Sequence, residues 1–165
     1  MELRLTDIQA QQFIKAVKIL LKSPHVDTIY DKKSGYYESV TKTDHRIFER
    51  RFVMDYFFSE SKKSFNFRDK ETNHTLFRVN LNNGFHKNAN NERIQGNRIN
   101  IFSEQEYKDK ADNKTHYKAY PLPLDDLKNT DNFLEMFYSL VEYTQTSGEF
   151  HVEFAQQGDL GLENL

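Results

Sequence analysis

Hydrophobic residues near the N-terminus recur every three or four positions, which is typical of a helix with one buried face. Thr6 is followed three residues later by Gln9, so this helix is predicted to begin near Asp7 with a capping box. It is predicted to end at Ser23-Pro24, because the residue before a proline disfavours the helical conformation. The predicted buried face comprises Phe13, Ala16, Val17, Leu20 and Leu21.

From His25 onward hydrophobic and polar residues alternate, which indicates β-strands with one buried face. The strands Ser64–Arg68 and Thr75–Leu81 are joined by a connection too short for a parallel crossover, so we predict an antiparallel meander. A helical interpretation stays open for Arg46–Phe52, where side chains four residues apart would share a face. The other predicted strands are His25–Tyr30, Tyr36–Thr43, Arg46–Phe58 and Asn97–Ser103.

Polar residues dominate the next part of the chain. Ser103–His116 is predicted to be an exposed connection, because it contains no run of hydrophobic residues. Tyr117–Leu124 is predicted to be extended. Pro121 and Pro123 exclude it from the centre of a sheet, since proline has no N–H group to donate.

A second helix is predicted towards the C-terminus, capped by Thr130 or Asp131. It is expected to end near Gly148, because glycine is the usual residue just beyond a helix. Hydrophobic residues alternate again in Glu149–Ala155, which predicts a final strand. The hydrophobic positions of the helix are Phe133, Leu134, Phe137, Leu140, Val141 and Tyr143.

Together these elements predict an α+β fold, in which an N-terminal and a C-terminal helix pack on an antiparallel, meander-like sheet. The chain has 165 residues, a length that one ordinary domain accounts for. We predict a single domain over residues 1–155, followed by a polar C-terminal tail over residues 156–165.

Composition narrows the possible classes of function. Only 37% of the residues are hydrophobic, but 14 Phe and 9 Tyr supply large side chains for a core. The formal net charge of −2 differs from that of a strongly basic nucleic-acid binder, so a nucleic-acid partner is not favoured. The absence of cysteine excludes disulfides and thiolate chemistry. No signal peptide or membrane span is evident, so we expect a cytoplasmic protein.

The densest group of candidate functional residues lies in the polar segment between Gly84 and Gly96 and at the start of the strand that follows. Its histidine, arginine and asparagine side chains suit adaptable polar contacts with a partner. The candidate binding residues are His86, Asn88, Arg93, Asn97 and Arg98.

The six histidines show none of the close spacings that metal-binding helices use. A zinc site would require His74, His86 and His116 to meet in space together with a carboxylate. The interpretation we favour is three solvated loop histidines. We therefore expect neither a metal site nor a cofactor.

Metal-independent RNA cleavage is the one enzymatic alternative that these residues could serve. It requires an acid–base group with a pKa near neutrality and cations that stabilise the developing phosphorane. His86 or His116 would supply the acid–base group, with Arg93 and Tyr117 beside it. The competing interpretation of Arg93 and Arg98 is a pair of surface ion pairs with Glu92 or Glu104.

Exposed aromatic residues beside cations would indicate a platform for single-stranded nucleic acid. The candidates are Phe65, Phe67, Phe77 and the Tyr36-Tyr37 pair, near Lys62, Lys63, Arg68 and Arg78. The interpretation we favour is an amphipathic sheet with these aromatic residues in its core.

One segment resembles a small bacterial and phage family of unassigned function. The resemblance lies in His86-Lys87-Asn88, Glu92–Asn97, Ile99–Ile101 and Ala119-Tyr120-Pro121. Relatives of this kind often carry histidine on the strand after the second glycine, where this chain has Asn97, Arg98 and Asn100. The resemblance implies an α+β domain from bacteria or their mobile elements.

We favour a non-catalytic protein-binding module, in the form of a phage or mobile-element protein that inhibits a host defence or regulatory protein. A CRISPR-nuclease inhibitor is one concrete example. The alternatives are the ribonuclease toxin or RNA-processing enzyme described above, and a structural or accessory protein that forms homo-oligomers through a sheet edge at Glu149–Ala155.

Overall fold

The computed structural model describes residues 1–42 and 49–156. The helices are α1 (Asp7–Lys15), α2 (Glu104–Lys110) and α3 (Phe133–Tyr143). The strands are β1 (Lys18–Leu20), β2 (His25–Ile29), β3 (Lys33–Thr41), β4 (Arg51–Phe58), β5 (Lys63–Asp69), β6 (Thr75–Leu81), β7 (Phe85–Lys87), β8 (Arg93–Gln95), β9 (Arg98–Phe102), β10 (Tyr117–Pro121), β11 (Thr146–Ser147) and β12 (Phe150–Phe154).

The main sheet has eight strands in the order β10-β9-β6-β5-β4-β3-β1-β11. Its neighbours from β10 to β1 run antiparallel, and only β1 and β11 pair in parallel. Two small sheets, β12-β2 and β7-β8, accompany it within the described residues. The prediction of an α+β fold with a meander-like antiparallel sheet is confirmed.

One face of the main sheet forms the core together with α1 and α3. The aromatic side chains of β4, β5 and β6 stack across the strands, with ring centroids 5.2 Å apart for Phe52 and Phe67. Helix α1 contributes Phe13, whose ring centroid lies 5.7 Å from that of Phe52. Helix α3 contributes Phe133, 4.8 Å from Phe65. We call this covered side of the sheet the inner face.

The first helix is shorter than predicted. It begins with the expected capping box between Thr6 and Gln9 but ends at Lys15, and residues 18–20 form β1 instead. Lys18 and Leu20 are buried whereas Ile19 is 41% exposed. Buried and exposed residues thus alternate in this segment as in a strand, although its hydrophobic residues also fit helical spacing. Pairing of β1 with β3 and β11 satisfies its backbone groups and decides between the two patterns.

Lys18, on β1, is fully buried on the inner face of the sheet. Its ammonium donates to the carbonyl oxygens of Ile14 (2.9 Å), Ala16 (2.7 Å) and Thr144 (2.9 Å). It also lies over the ring of Phe52, 5.3 Å from the centroid. Burial lowers the pKa of Lys18 to about 7. The three carbonyl acceptors favour the charged form, because only the ammonium has three N–H groups to donate.

The predicted exposed connection is largely exposed, but it contains α2, which was not predicted from the sequence. Ser103 caps the helix by accepting from the backbone N–H of Glu106 (3.0 Å). The Glu106 side chain is buried and accepts from the backbone N–H of Ala89 (2.9 Å). Hydrophobic spacing did not predict this helix, because its buried residue is a glutamate rather than a hydrophobic side chain.

The boundaries of the last helix also differ from the prediction. Asn132 caps α3, one or two residues after the predicted caps Thr130 and Asp131. The helix ends at Tyr143 rather than near Gly148, because Thr146 and Ser147 leave it to pair with β1. The final predicted strand is present as β12, which pairs in parallel with β2.

Some predictions fall partly or wholly outside the described residues. They are the strand and helix interpretations over residues 46–48, the end of the strand at Thr43, and nearly all of the proposed tail. The single domain over residues 1–155 stays a prediction. Among the described residues, no helix is long and apolar enough to span a membrane.

A buried carboxylate ties the end of β5 to the start of β4. Asp69 accepts from Nε and Nη2 of Arg50 at 2.7 and 2.8 Å, and from the backbone N–H of Thr72 at 2.9 Å. Burial alone would raise the pKa of Asp69. The hydrogen bonds from Arg50 and Thr72 outweigh it and leave the pKa below its ordinary value.

We expect Asp69→Asn to destabilise the protein by about 2 kcal/mol at pH 7, because the Arg50 guanidinium loses its buried anionic partner and, among the described residues, keeps only the exposed carboxylate of Glu71. The folded-state pKa lies below that of the unfolded chain, so the ion pair stabilises the fold above about pH 4. This stabilisation is lost as the pH falls through the folded-state pKa. Urea unfolding of both proteins at a series of pH values should show the difference shrinking in acid. Asp125→Asn, at an exposed carboxylate, should leave the pH profile unchanged. If the stability of Asp69→Asn fell as steeply in acid as that of wild type, the ion pair could not be the source of the pH dependence.

Candidate functional site

The side of the main sheet opposite the helices carries polar side chains. We call it the outer face and define it by Tyr36, Asp55, Asn66, Arg68, Arg78, Asn80, Arg98 and Asn100. Along β3, β4, β5 and β6 these residues alternate with buried residues of the core. On β9, Arg98 and Asn100 share this side of the sheet but are themselves buried. Strand register aligns five of them in one row, in the order Tyr36, Asp55, Asn66, Arg78 and Asn100.

The carboxylates near this row are neutralised. Asp55 accepts from Nε of Arg68 at 2.8 Å. Glu38, which follows Tyr36 by two residues on β3, pairs with Lys70 at 2.7 Å. The carboxylates of Asp55 and Glu38 therefore do not neutralise the positive charge at the other end of the row.

Arg78 and Arg98 supply that positive charge. Nε of Arg78 lies 3.3 Å from Oδ1 of Asn80. Nη1 of Arg98 donates to Oδ1 of Asn82 (3.0 Å) and to the carbonyl oxygen of Gly96 (2.9 Å). All these acceptors are neutral. Burial, and next the charge of Arg78, lower the pKa of Arg98, which shows that the two guanidinium groups lie close enough to repel each other.

Three polar atoms near these arginines are buried and have no hydrogen-bond partner among the residues that the structure describes. They are Nε2 of His86, Nε of Arg98 and Oδ1 of Asn100. Buried polar groups are nearly always paired, and an unpaired one costs about 1–3 kcal/mol. These two nitrogens and one amide oxygen therefore have hydrogen-bonding capacity that the described residues do not use.

His86 reaches this cluster from the β7-β8 hairpin, which the sequence analysis treated as a loop. His86 and Ile94 are paired in register, and Ile94 is buried. Burial, and next the charges of Lys110 and Arg98, lower the pKa of His86. The imidazole is accordingly neutral near pH 7.

Arg93 lies on the opposite side of the same hairpin. Strand alternation places it with Lys87 and Phe85 on the exposed side, and its guanidinium stacks 3.7 Å from the centroid of the Phe85 ring. Arg93 and His86 therefore do not converge. The interpretation of Arg93 and Arg98 as carboxylate ion pairs is also wrong, because Arg93 stacks on a ring and Arg98 binds neutral oxygens.

Asn88 holds the hairpin against the edge strand β10. Its Nδ2 donates to the carbonyl oxygen of Ala119 (3.0 Å), and its Oδ1 accepts from the N–H of Ala119 (2.9 Å). Both partners belong to the free edge of β10, so the side-chain amide takes the place of a neighbouring strand. In this structure Asn88 is buried and serves the fold.

Asn97 is also engaged. Its Nδ2 donates to Oδ1 of Asn129 (2.9 Å) and to Oδ1 of Asp131 (2.6 Å). These contacts join the end of the hairpin to the segment before α3. Of the five predicted binding residues, the structure brings His86 and Arg98 together on the outer face.

His74 and His116 are buried, so the interpretation of solvated loop histidines is wrong for both. Nε2 of His74 accepts from the N–H of Arg4 (3.0 Å), and Nε2 of His116 accepts from the N–H of Thr75 (3.1 Å). An accepting nitrogen carries no proton, so both rings are neutral. Burial is the main cause that lowers both pKa values. Within the described ranges, no group of three His, Cys, Asp or Glu residues could hold a metal ion.

The residues proposed for RNA cleavage meet only in part. The Tyr117 ring lies between those of His86 and His116, with centroid distances of 5.7 and 5.5 Å. Both nitrogens of His116 are engaged, since Nδ1 contacts the carbonyl oxygen of Lys114 at 2.7 Å. His116 thus has no ring nitrogen free for proton transfer.

A cleft of about 420 Å³ opens on the other end of the row. Tyr36, Phe57, Asn66 and Arg78 are among its lining residues. The cleft therefore joins an exposed aromatic ring to the positively charged end of the outer face. Asn66 was not selected from the sequence. Arg78 was named there only as a cation near candidate aromatic residues, and Asn100 only as a departure from the family pattern.

Fold and site together define an α+β protein whose sheet carries, on the side away from α1 and α3, a row of polar side chains with two arginines at one end. A model of DUF6978, a family of unknown function, matches residues 5–146, and the chain belongs to this family. No significant match to a curated protein or to a solved structure was found.

Proposed function

We propose that this protein is a non-catalytic binding module that captures an anionic partner on its outer face. The observation that carries the proposal is that Arg78 and Arg98, whose hydrogen bonds within the described part of the chain go to neutral oxygens, lie next to three buried polar atoms with no partner in that part. Such a site offers charge-assisted hydrogen bonds without having to break an existing ion pair.

The arginines are held in place before a partner arrives. Nη1 of Arg98 is fixed by Asn82 and Gly96, and β6 and β9 keep Arg78 and Asn100 in register. A preorganised side chain loses little conformational freedom on binding, which favours affinity. The planar guanidinium matches carboxylate and phosphate oxygens equally well. The geometry therefore supports an anionic group as the ligand.

In the wider role we propose, the protein comes from a bacterium or phage and acts in the cytoplasm against a host defence or regulatory protein. A CRISPR nuclease is an example, since its activity depends on nucleic acid held by phosphate contacts. A rigid face with two uncompensated arginines is suited to compete for such phosphates. The resemblance in the segment from His86 to Pro121 supports the bacterial or phage origin.

The test is titration with inorganic polyphosphate, followed by NMR of backbone and arginine side-chain groups. We expect the signals of Arg78, Arg98 and Asn100 to shift on binding, and salt to weaken the affinity. Arg78→Gln should reduce the affinity about tenfold, because one charge-assisted contact contributes about 1.5–3 kcal/mol.

Lys128→Gln is the matched control, because it removes the same charge from an exposed position on the helical side of the protein. It should change the affinity less than twofold. Shifts confined to the helical side, or equal losses in the two variants, would exclude the outer face as the binding surface.

A further inference from the structure

We infer that the natural ligand of the outer face is a single strand of nucleic acid, with Tyr36 stacking on a base while Arg78 and Arg98 bind phosphates. This inference rests on the proposed function and adds the chemical class of the partner. It combines the two ends of the row, one aromatic and one cationic, into a single surface.

Tyr36 has the position that a stacking platform requires. It is 61% exposed although it lies in the middle of β3, with buried Tyr37 beside it on the inner face. It lines the same cleft as Arg78. A second ring, that of half-buried Phe57, also lines the cleft and has the Lys62 ammonium 5.7 Å from its centroid. Exposed rings beside cations are how sheet surfaces hold unpaired bases.

The length of the row also favours a strand over a single anion. From Tyr36 to Asn100 the row crosses from β3 to β9, which is about 19 Å at about 4.8 Å between neighbouring strands. One carboxylate or phosphate would engage only the arginine end. A chain that alternates phosphates with planar bases would use the whole row.

Asparagine amides along the row provide the third feature of such a ligand site. Asn66 lies between the aromatic and cationic ends, and Asn80 follows Arg78 by two residues on β6. Asn100 has a buried Oδ1 without a partner among the described residues. Amides donate and accept, so they can hydrogen-bond to the edges of bases. Carboxylates of a protein partner would use neither Tyr36 nor an amide oxygen acceptor.

The experiment measures fluorescence anisotropy of a labelled 12-nucleotide oligouridine RNA with the full chain. We expect binding that weakens with salt, and Tyr36→Ala should weaken it by roughly fivefold to a hundredfold, the range for loss of one stacked base. Tyr36→Phe should stay within about twofold of wild type, because it keeps the ring. Arg78→Gln should lower the salt dependence by about 0.7 in the log–log slope.

Tyr30→Ala is the matched control, since Tyr30 is 45% exposed but lies outside the cleft. It should leave the affinity unchanged. Comparison with a single-stranded DNA of the same sequence shows whether the ribose hydroxyl contributes to the affinity. A duplex of the same length should bind more weakly, because its bases are not free to stack.

Two other outcomes would overturn the inference in distinguishable ways. Binding of polyglutamate with the same Arg78 dependence, combined with RNA binding that Tyr36→Ala leaves unchanged, would show an acidic protein segment as the ligand. The proposed anion-binding function would then stand. Failure of RNA, polyglutamate and polyphosphate alike to bind would overturn both proposals.

Discussion

Replacing Lys18 by methionine should destabilise the protein by about 4 kcal/mol. Methionine fills similar space, but the carbonyl oxygens of Ile14, Ala16 and Thr144 lose their donor. Each buried acceptor left unpaired costs about 1–3 kcal/mol, and relief from burying a charge offsets part of the total. Urea unfolding at pH 7 measures the difference.

The expected loss of stability is large because the Lys18 ammonium is bound by backbone carbonyl groups and not by a carboxylate side chain. A buried ion pair can be replaced by hydrophobic residues at little cost when both charges are removed together. The partners of Lys18 are backbone carbonyls, which no substitution at position 18 can remove. Two of them lie at the C-terminal end of α1 and one follows α3, where carbonyl groups have no partner within the helix.

Lys15→Met provides the control, because Lys15 is exposed in the last turn of α1. Its effect should stay within about 0.5 kcal/mol, as for other surface substitutions. If Lys18→Met proved as stable as wild type, the three hydrogen bonds would make no net contribution and the lysine would need another explanation.

The second large effect is expected at Asn88. Asn88→Ala leaves both the N–H and the carbonyl oxygen of Ala119 without a partner, so we expect a loss of about 3 kcal/mol. Asn88→Asp should lose at least as much, because a carboxylate cannot donate and would face the carbonyl oxygen of Ala119. Thermal and urea unfolding measure both.

Asn83→Ala is the matched control, since Asn83 is exposed in the same connection. It should unfold like wild type. Asn88→Ala should also self-associate more readily, since it uncovers the edge of β10. If Asn88→Ala were as stable as wild type and remained monomeric, the Asn88 amide would neither stabilise the fold nor protect the edge of β10.

Alternation was enough to predict β4, β5 and β6, because each carries hydrophobic residues at every second position and joins its neighbour by a short turn. It failed where one segment satisfied two patterns. Residues 18–20 continue the helical spacing of α1, yet Lys18 and Leu20 also share a strand face. Hydrogen bonding to β3 and β11 settles this choice, and those partners lie far away in the sequence.

The site was predictable at the residues that stand out chemically. His86 and Arg98 were selected because they lie in an unusually polar segment. Arg78 was considered only as a cation near aromatic residues, and Asn100 only as a departure from the family pattern. A polar residue on a strand normally means only that one side faces solvent. The significance of Arg78 and Asn100 depends on register between strands that are about twenty residues apart, which one sequence does not reveal.

The parallel pairings of β1 with β11 and β2 with β12 have a consequence for synthesis on the ribosome. The chain is made from the N-terminus, so β1 and β2 emerge long before β11 and β12, their parallel partners. The meander between them can form from neighbouring strands as it appears. The Lys18 ammonium acquires its bond to Thr144 only when α3 has been made, so completion of the core waits for that helix.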